Sequence, residues 1–118
     1  MGERVGWGQG AIGAIGAIML AVYVGAVQVD LLLGDVASLK QKRAVLRPLV
    51  ADLRRHFEVA VAETGQHDLL RRTMLGVATV SGTAEQVARV CDQVERWAWS
   101  RPDVEVLQVR RMVRSIDD

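Results

Sequence analysis

Apolar and polar positions alternate in four stretches of this chain and recur at helical spacing in two others. From Tyr23 to Leu33, Val27, Val29, Leu31 and Leu33 fall on one side, with Ala26, Gln28, Asp30 and Leu32 on the other. That period of two predicts a strand with one well-buried face. Gly34-Asp35 ends it. Ser38 followed by Gln41 has capping-box spacing, so a helix is predicted from there to about His56. Leu39, Leu46, Leu49, Val50 and Leu53 form its apolar stripe. Phe57–Ala62 alternates again and predicts a second strand, followed by a polar turn at Gly65-Gln66-His67-Asp68. Thr73–Ser81 is rich in β-formers and predicts a third strand, broken by Ser81-Gly82. Thr83 with Gln86 repeats the capping-box spacing. The helix it opens has Val87, Val90, Cys91, Val94, Trp97 and Ala98 as its apolar stripe and stops ahead of Pro102. Val104–Val113 predicts a fourth strand with a basic end at Arg110, Arg111 and Arg114.

The order β-α-β-β-α-β predicts a ferredoxin-like α+β fold, a four-stranded antiparallel sheet with both helices on one face. Leu46, Leu49, Leu53, Val90 and Val94 are expected between the helices and the sheet. No linker or second domain is visible between residues 19 and 118.

The start of the chain follows other rules. Gln9–Val29 holds no charged side chain and is long enough for a membrane helix. Gly10, Gly13, Gly16 and Gly25 weaken that assignment, and the second half of the run is better read as the first strand. Ala11–Ile18 is a low-complexity tripeptide repeat. Gly8-Gln9-Gly10-Ala11-Ile12-Gly13 has the spacing of a dinucleotide-binding fingerprint, but no strand precedes it and no βαβ unit surrounds it. Residues 1–18 are therefore expected to be an extension outside the fold, with Met19 as the natural start and no membrane span.

Composition narrows the function classes. The formal net charge is +1, which gives no global drive toward nucleic acid or membrane, so any electrostatic function must come from local clustering. Cys91 is the single cysteine, which excludes an intrachain disulfide and a cysteine metal cluster. No cofactor is expected.

Several segments in order carry a family resemblance. They are Tyr23-Val24-Gly25, Ser38-Leu39-Lys40-Gln41-Lys42-Arg43, Val59-Ala60-Val61-Ala62-Glu63, Asp68-Leu69-Leu70-Arg71-Arg72, Leu75-Gly76-Val77-Ala78 and Val104-Glu105-Val106-Leu107. On these the chain resembles the YlxP-like family of small uncharacterised bacterial proteins. The resemblance spans about Met19 to Ser115. It departs where the family usually shows a tryptophan and a glutamine and this chain has Leu70 and Arg71. The resemblance implies the ferredoxin-like fold, a cytoplasmic setting and self-association. Relatives are often encoded near translation and ribosome-maturation factors, which implies a role close to RNA. It implies no established activity.

Two surfaces are candidates for binding. Lys40, Arg43, Arg47 and Arg54 share one stripe of the first helix, with Lys42 and Arg55 nearby and only Asp52 opposing. Such a row can meet a phosphate backbone, with Arg110 and Arg111 adding to it if the last strand lies close. It can equally be a solvated face whose stems cover the core edge. The face of the sheet away from the helices would carry Val24, Ala26, Leu32, Ala60 and Ala62, a mildly apolar set that invites a second copy. The strands offer few aromatics to stack bases, so an RNA-recognition-motif mode is not expected.

A third candidate is the loop with Glu63, His67, Asp68 and Arg71, where a histidine beside carboxylates could do acid–base work or hold a small ligand. No nucleophile, metal-ligand cluster or phosphate loop supports an enzyme there. His56 is expected to complement the first helix's dipole and Cys91 to be a small core residue. Trp99 falls off the apolar stripe and is either a partner anchor or packed under the loop before Asp103. The expected function is thus a non-enzymatic, homo-oligomeric binding protein that engages RNA or a ribosome-associated partner through its basic helix. The alternatives are an oligomeric interaction module without nucleic-acid contact and a small-ligand binder or enzyme at the Glu63–Arg72 loop.

Overall fold

Six elements follow in the predicted order over residues 21–118, the part of the chain described by this computed structural model. They are strand β1 (Tyr23–Leu32), helix α1 (Leu39–His56), strands β2 (Ala60–Gly65) and β3 (Arg72–Ser81), helix α2 (Ala84–Trp99) and strand β4 (Glu105–Ser115). The expectation for residues 1–18, and for Met19 as the start, lies outside the described residues.

The sheet order is β2-β3-β1-β4, all neighbours antiparallel, which is the ferredoxin-like arrangement. β1 pairs with β3 from Tyr23↔Ser81 to Leu32↔Arg72 and with β4 from Tyr23↔Ser115 to Leu32↔Glu105. The second register is interrupted once, between Asp30 and Leu31. Val27, Val29 and Leu31 face the helices with Val61, Leu75 and Val77, and all are buried. Leu46, Leu49 and Leu53 from α1 and Val87, Val90, Cys91, Val94 and Ala98 from α2 close the same core, so the five residues expected there are in it. α1 packs toward β2, whereas α2 lies over β1, β3 and β4.

Gly25 is where α2 comes closest to the sheet. A Cβ there would collide with Val87 Cγ1 and sit 2.7 Å from Cys91 Sγ. Only a residue without a side chain lets that helix settle on β1.

Both predicted caps form. Ser38 Oγ accepts from Gln41 N at 3.1 Å, and Thr83 Oγ1 accepts from Gln86 N at 3.2 Å. The reciprocal arm of the first cap lands one residue early, with Gln41 Oε1 accepting from Ala37 N at 2.7 Å. Two expectations are corrected. β2 starts at Ala60 and not at Phe57, because Phe57 is still the C-cap of α1 and donates its N–H to Leu53 O. Leu39 does not belong to the buried stripe of α1. It is 51% exposed, and Lys42 takes the buried place one turn before Leu46.

Candidate functional site

The α1 stripe splits into residues that reach solvent and residues that the fold has used. Lys40, Arg43, Arg47 and Arg54 are exposed. Arg43, Arg47 and Arg54 line one cleft of about 290 Å³ between α1 and β2, floored by Leu46, Val50, Ala51 and Leu75 and walled on the β2 side by Glu63, whose Oε2 is engaged by Lys42 and Thr73. Arg54 is steered into it by donating from Nη2 to Val61 O at 2.9 Å, so this guanidinium also covers the free edge of β2. Among the described residues no carboxylate pairs with Lys40, Arg43, Arg47 or Arg54. Asp52, the one acid expected to oppose the stripe, faces away from it. Its Oδ2 accepts from Trp97 Nε1 at 2.6 Å and from Arg101 Nη1 at 3.1 Å, and Arg101 lies over the Trp97 ring.

Lys42 is not part of the basic surface. Its side chain is 4% exposed and its Nζ lies 3.0 Å from Glu63 Oε2. The same ammonium donates to Gln66 O at 2.9 Å and Leu69 O at 2.7 Å. Thr73, fully buried, donates its hydroxyl to Glu63 Oε2 at 2.8 Å. Three donors and their acceptors are therefore matched below the β2–β3 loop, as burial requires. The loop is further held from above. Leu33 N donates to Arg71 O at 2.8 Å and Arg71 Nε donates to Gly34 O at 2.6 Å. Gln66 takes the left-handed conformation at φ 63°, the turn that brings its carbonyl to Lys42. Glu63 and Arg71 thus tie the loop down, while His67 and Asp68 stay exposed and do not join them in a site.

Arg110 and Arg111 stand apart from the α1 stripe. β4 is the opposite edge of the sheet from β2, so these arginines cannot share a surface with Arg43 and Arg47. They also face opposite ways. Arg111 points to the helix side and pairs with Asp92 at 2.6 Å and Glu95 at 3.3 Å on α2. Arg110 pairs in register with Gln28 on the open face.

The open face does gather the five expected apolar residues. Ala26, Ala60 and Ala62 line a groove of about 550 Å³ with Gly76 and Ala78, rimmed by Thr64, Met112 and Arg110. Val24 and Leu32 lie at opposite ends of β1 on the same face, Leu32 beyond an ion pair of Asp30 with Arg72 at 2.8 Å. Tyr23, the one aromatic of the described strands, has the helix-side register, which leaves this face without a base-stacking ring. Trp99 is 55% exposed and is not packed under the following loop. Cys91 is buried as expected, and burial pushes its thiol pKa up.

Two carboxylates have lowered pKa values. The Trp97 indole N–H holds Asp52 below its usual value against the opposing effect of burial, helped by His56, Arg101 and Arg55. Burial pushes Glu63 up, and the Thr73 hydroxyl with Lys42 more than offsets it. Both groups bind fewer protons folded than unfolded, so their contributions are complete above the ordinary carboxylate range, about pH 4–5, and fall away as pH drops through the lowered folded values. Urea midpoints measured down the acid limb should decline there, and Asp52→Asn should flatten part of that decline. An acid limb identical in wild type and Asp52→Asn would contradict the assignment.

Fold and site together define a small ferredoxin-like α+β domain with an arginine-lined cleft beside α1. No helix among the described residues is long and apolar enough to cross a membrane. The family model described as "Protein of unknown function (DUF503)" matches residues 24–111, from β1 into β4, and the chain belongs to that family. It is 32% identical over 82 residues to "Uncharacterized protein YlxP" of Bacillus subtilis (strain 168), an alignment covering 70% of this chain and 89% of that protein.

Proposed function

We propose that this domain is a non-enzymatic binding protein that engages the phosphates of structured RNA through the exposed side of α1. The observation that carries this reading is the cleft where Arg43, Arg47 and Arg54 converge: its one lining carboxylate, Glu63, is paired with Lys42, and no carboxylate pairs with any of the three arginines among the described residues. Guanidinium groups present paired donors that match phosphate oxygens. Lys40 extends the row toward the start of the helix. Arg110 and Arg111 are left out of the surface. Contacts of this kind are tolerant of sequence, and each phosphate engaged steepens the fall of affinity with salt by about 0.7–0.9 in log–log slope. The cytosol is the setting we propose, where a lone thiol such as Cys91 stays reduced.

Filter binding of a structured RNA at low and high salt tests this. Arg43→Glu with Arg47→Glu should abolish retention and leave the melting temperature unchanged, because both side chains are exposed. No retention of wild type at low salt, or equal retention of the double variant, would leave the arginines as a solvated face.

A second reading concerns self-association, favoured by the shared face of Val24, Ala26, Leu32, Ala60 and Ala62 and by the groove among them. A bare sheet face of small apolar residues is covered most simply by its own copy. Light scattering at high micromolar concentration should report a dimer or larger species. A monomer there would remove this reading and leave the RNA surface untouched.

A further inference from the structure

The two edges of the sheet are treated differently. β2 is six residues long, and the Arg54 guanidinium occupies its Val61 carbonyl. β4 is eleven residues long, and among the described residues no element pairs with its outer side. From Gln108 to Ser115 its register with β1 runs unbroken. Such an edge offers a ladder of backbone donors and acceptors to another extended chain.

Its side chains specify what kind of chain. Arg110, Met112 and Arg114 alternate onto the open face opposite Gln28, Ala26 and Val24. Met112 is 44% exposed, and Arg110 and Arg114 are exposed with no carboxylate partner among the described residues. Four residues of strand set the Cα atoms of these two arginines about 13 Å apart. Arg111, between them in sequence, already spends its charge on Asp92 and Glu95. A second copy of β4 is a poor fit. Antiparallel pairing about a two-fold axis at residue 110 or 112 sets unpaired arginines directly against each other, which destabilises a ladder.

We propose that β4 is a docking edge for an extended acidic peptide segment of a partner protein. The segment adds as a fifth strand and carries carboxylates four residues apart, with an apolar residue midway. The carboxylates meet Arg110 and Arg114, and the apolar side chain covers Met112. The surface is separate from the α1 cleft, so it stands whether or not RNA binds there.

The test uses the full chain and a fluorescein-labelled peptide of about ten residues, with glutamates four apart, a valine midway and threonines elsewhere. Anisotropy should show micromolar binding, and amide shifts should concentrate at residues 106–115. The same peptide with every inner amide N-methylated should bind at least about tenfold more weakly, since the ladder is lost. Arg110→Glu with Arg114→Glu should lose a similar factor and gain affinity for the lysine version of the peptide. Arg110→Gln with Arg114→Gln should show the loss without the gain, and it stands in if the reversed variant melts early. Equal binding of the N-methylated peptide, no effect of charge reversal, or no binding at about 1 mM would overturn the proposal. So would an oligouridylate that displaces the peptide from β4 at lower concentration, because the edge would then be a phosphate surface.

Discussion

Lys42→Ala should destabilise the domain by about 3 kcal/mol in urea unfolding, whereas Arg43→Ala one residue along should change it by less than about 0.5 kcal/mol. The contrast comes from where the two cations sit. Lys42 Nζ is the shared donor to Glu63 Oε2 and to the carbonyls of Gln66 and Leu69. Removing it leaves two carbonyls without their donor, and the Glu63 carboxylate with only the Thr73 hydroxyl, beneath a loop whose conformation they define. The effect falls at the lower end for a broken buried pair, because Glu63 is 24% exposed and can turn to water. Arg43 reaches solvent and makes no ion pair among the described residues. Equal effects at the two positions would show that Lys42 does not anchor the β2–β3 loop.

Leu49→Ala should cost about 2–5 kcal/mol, the range for truncating a buried leucine. Leu49 is 0% exposed and lies on α1 between Leu46 and Leu53, where the helix meets the sheet. The spread depends on how far α1 can settle into the space left. Leu49 has no exposed surface and its neighbours Leu46 and Leu53 are held in the same core, so the upper half of the range is expected. A loss under about 1 kcal/mol would mean that the core relaxes around the cavity. Leu39→Ala on the same helix should be close to neutral, because Leu39 is 51% exposed.

These pairs also mark where the sequence was legible. Element order, both caps and the buried strand faces followed from periodicity, because burial on one side writes a period of two or of 3.6 directly into the chain. The start of β2 was harder. Phe57 and Val59 are apolar and alternate with neighbours, yet they belong to the turn out of α1, where the Phe57 N–H still reaches Leu53 O. The burial of Lys42 had a signal that charge obscured. It sits four residues before Leu46 and seven before Leu49, on the apolar stripe, and what makes a lysine acceptable there is Glu63 and two carbonyls that lie distant in sequence. The periodicity puts Trp97 on the core stripe, but its bond to Asp52 joins residues 45 apart on two helices and cannot be read from either helix alone.

The sequence by itself determined a ferredoxin-like domain of this family, the residues that fill its core, and a helix with one basic stripe. Each is a local pattern, and local patterns repeat at fixed spacing along one chain. Only the tertiary structure decided which cations remain available. It buried Lys42 and paired Arg111 with α2. It set Arg110 on the far edge of the sheet and drew Arg43, Arg47 and Arg54 into one cleft. A charge is free or spent according to what stands within a few ångströms of it, and those neighbours come from segments that the chain brings together only on folding.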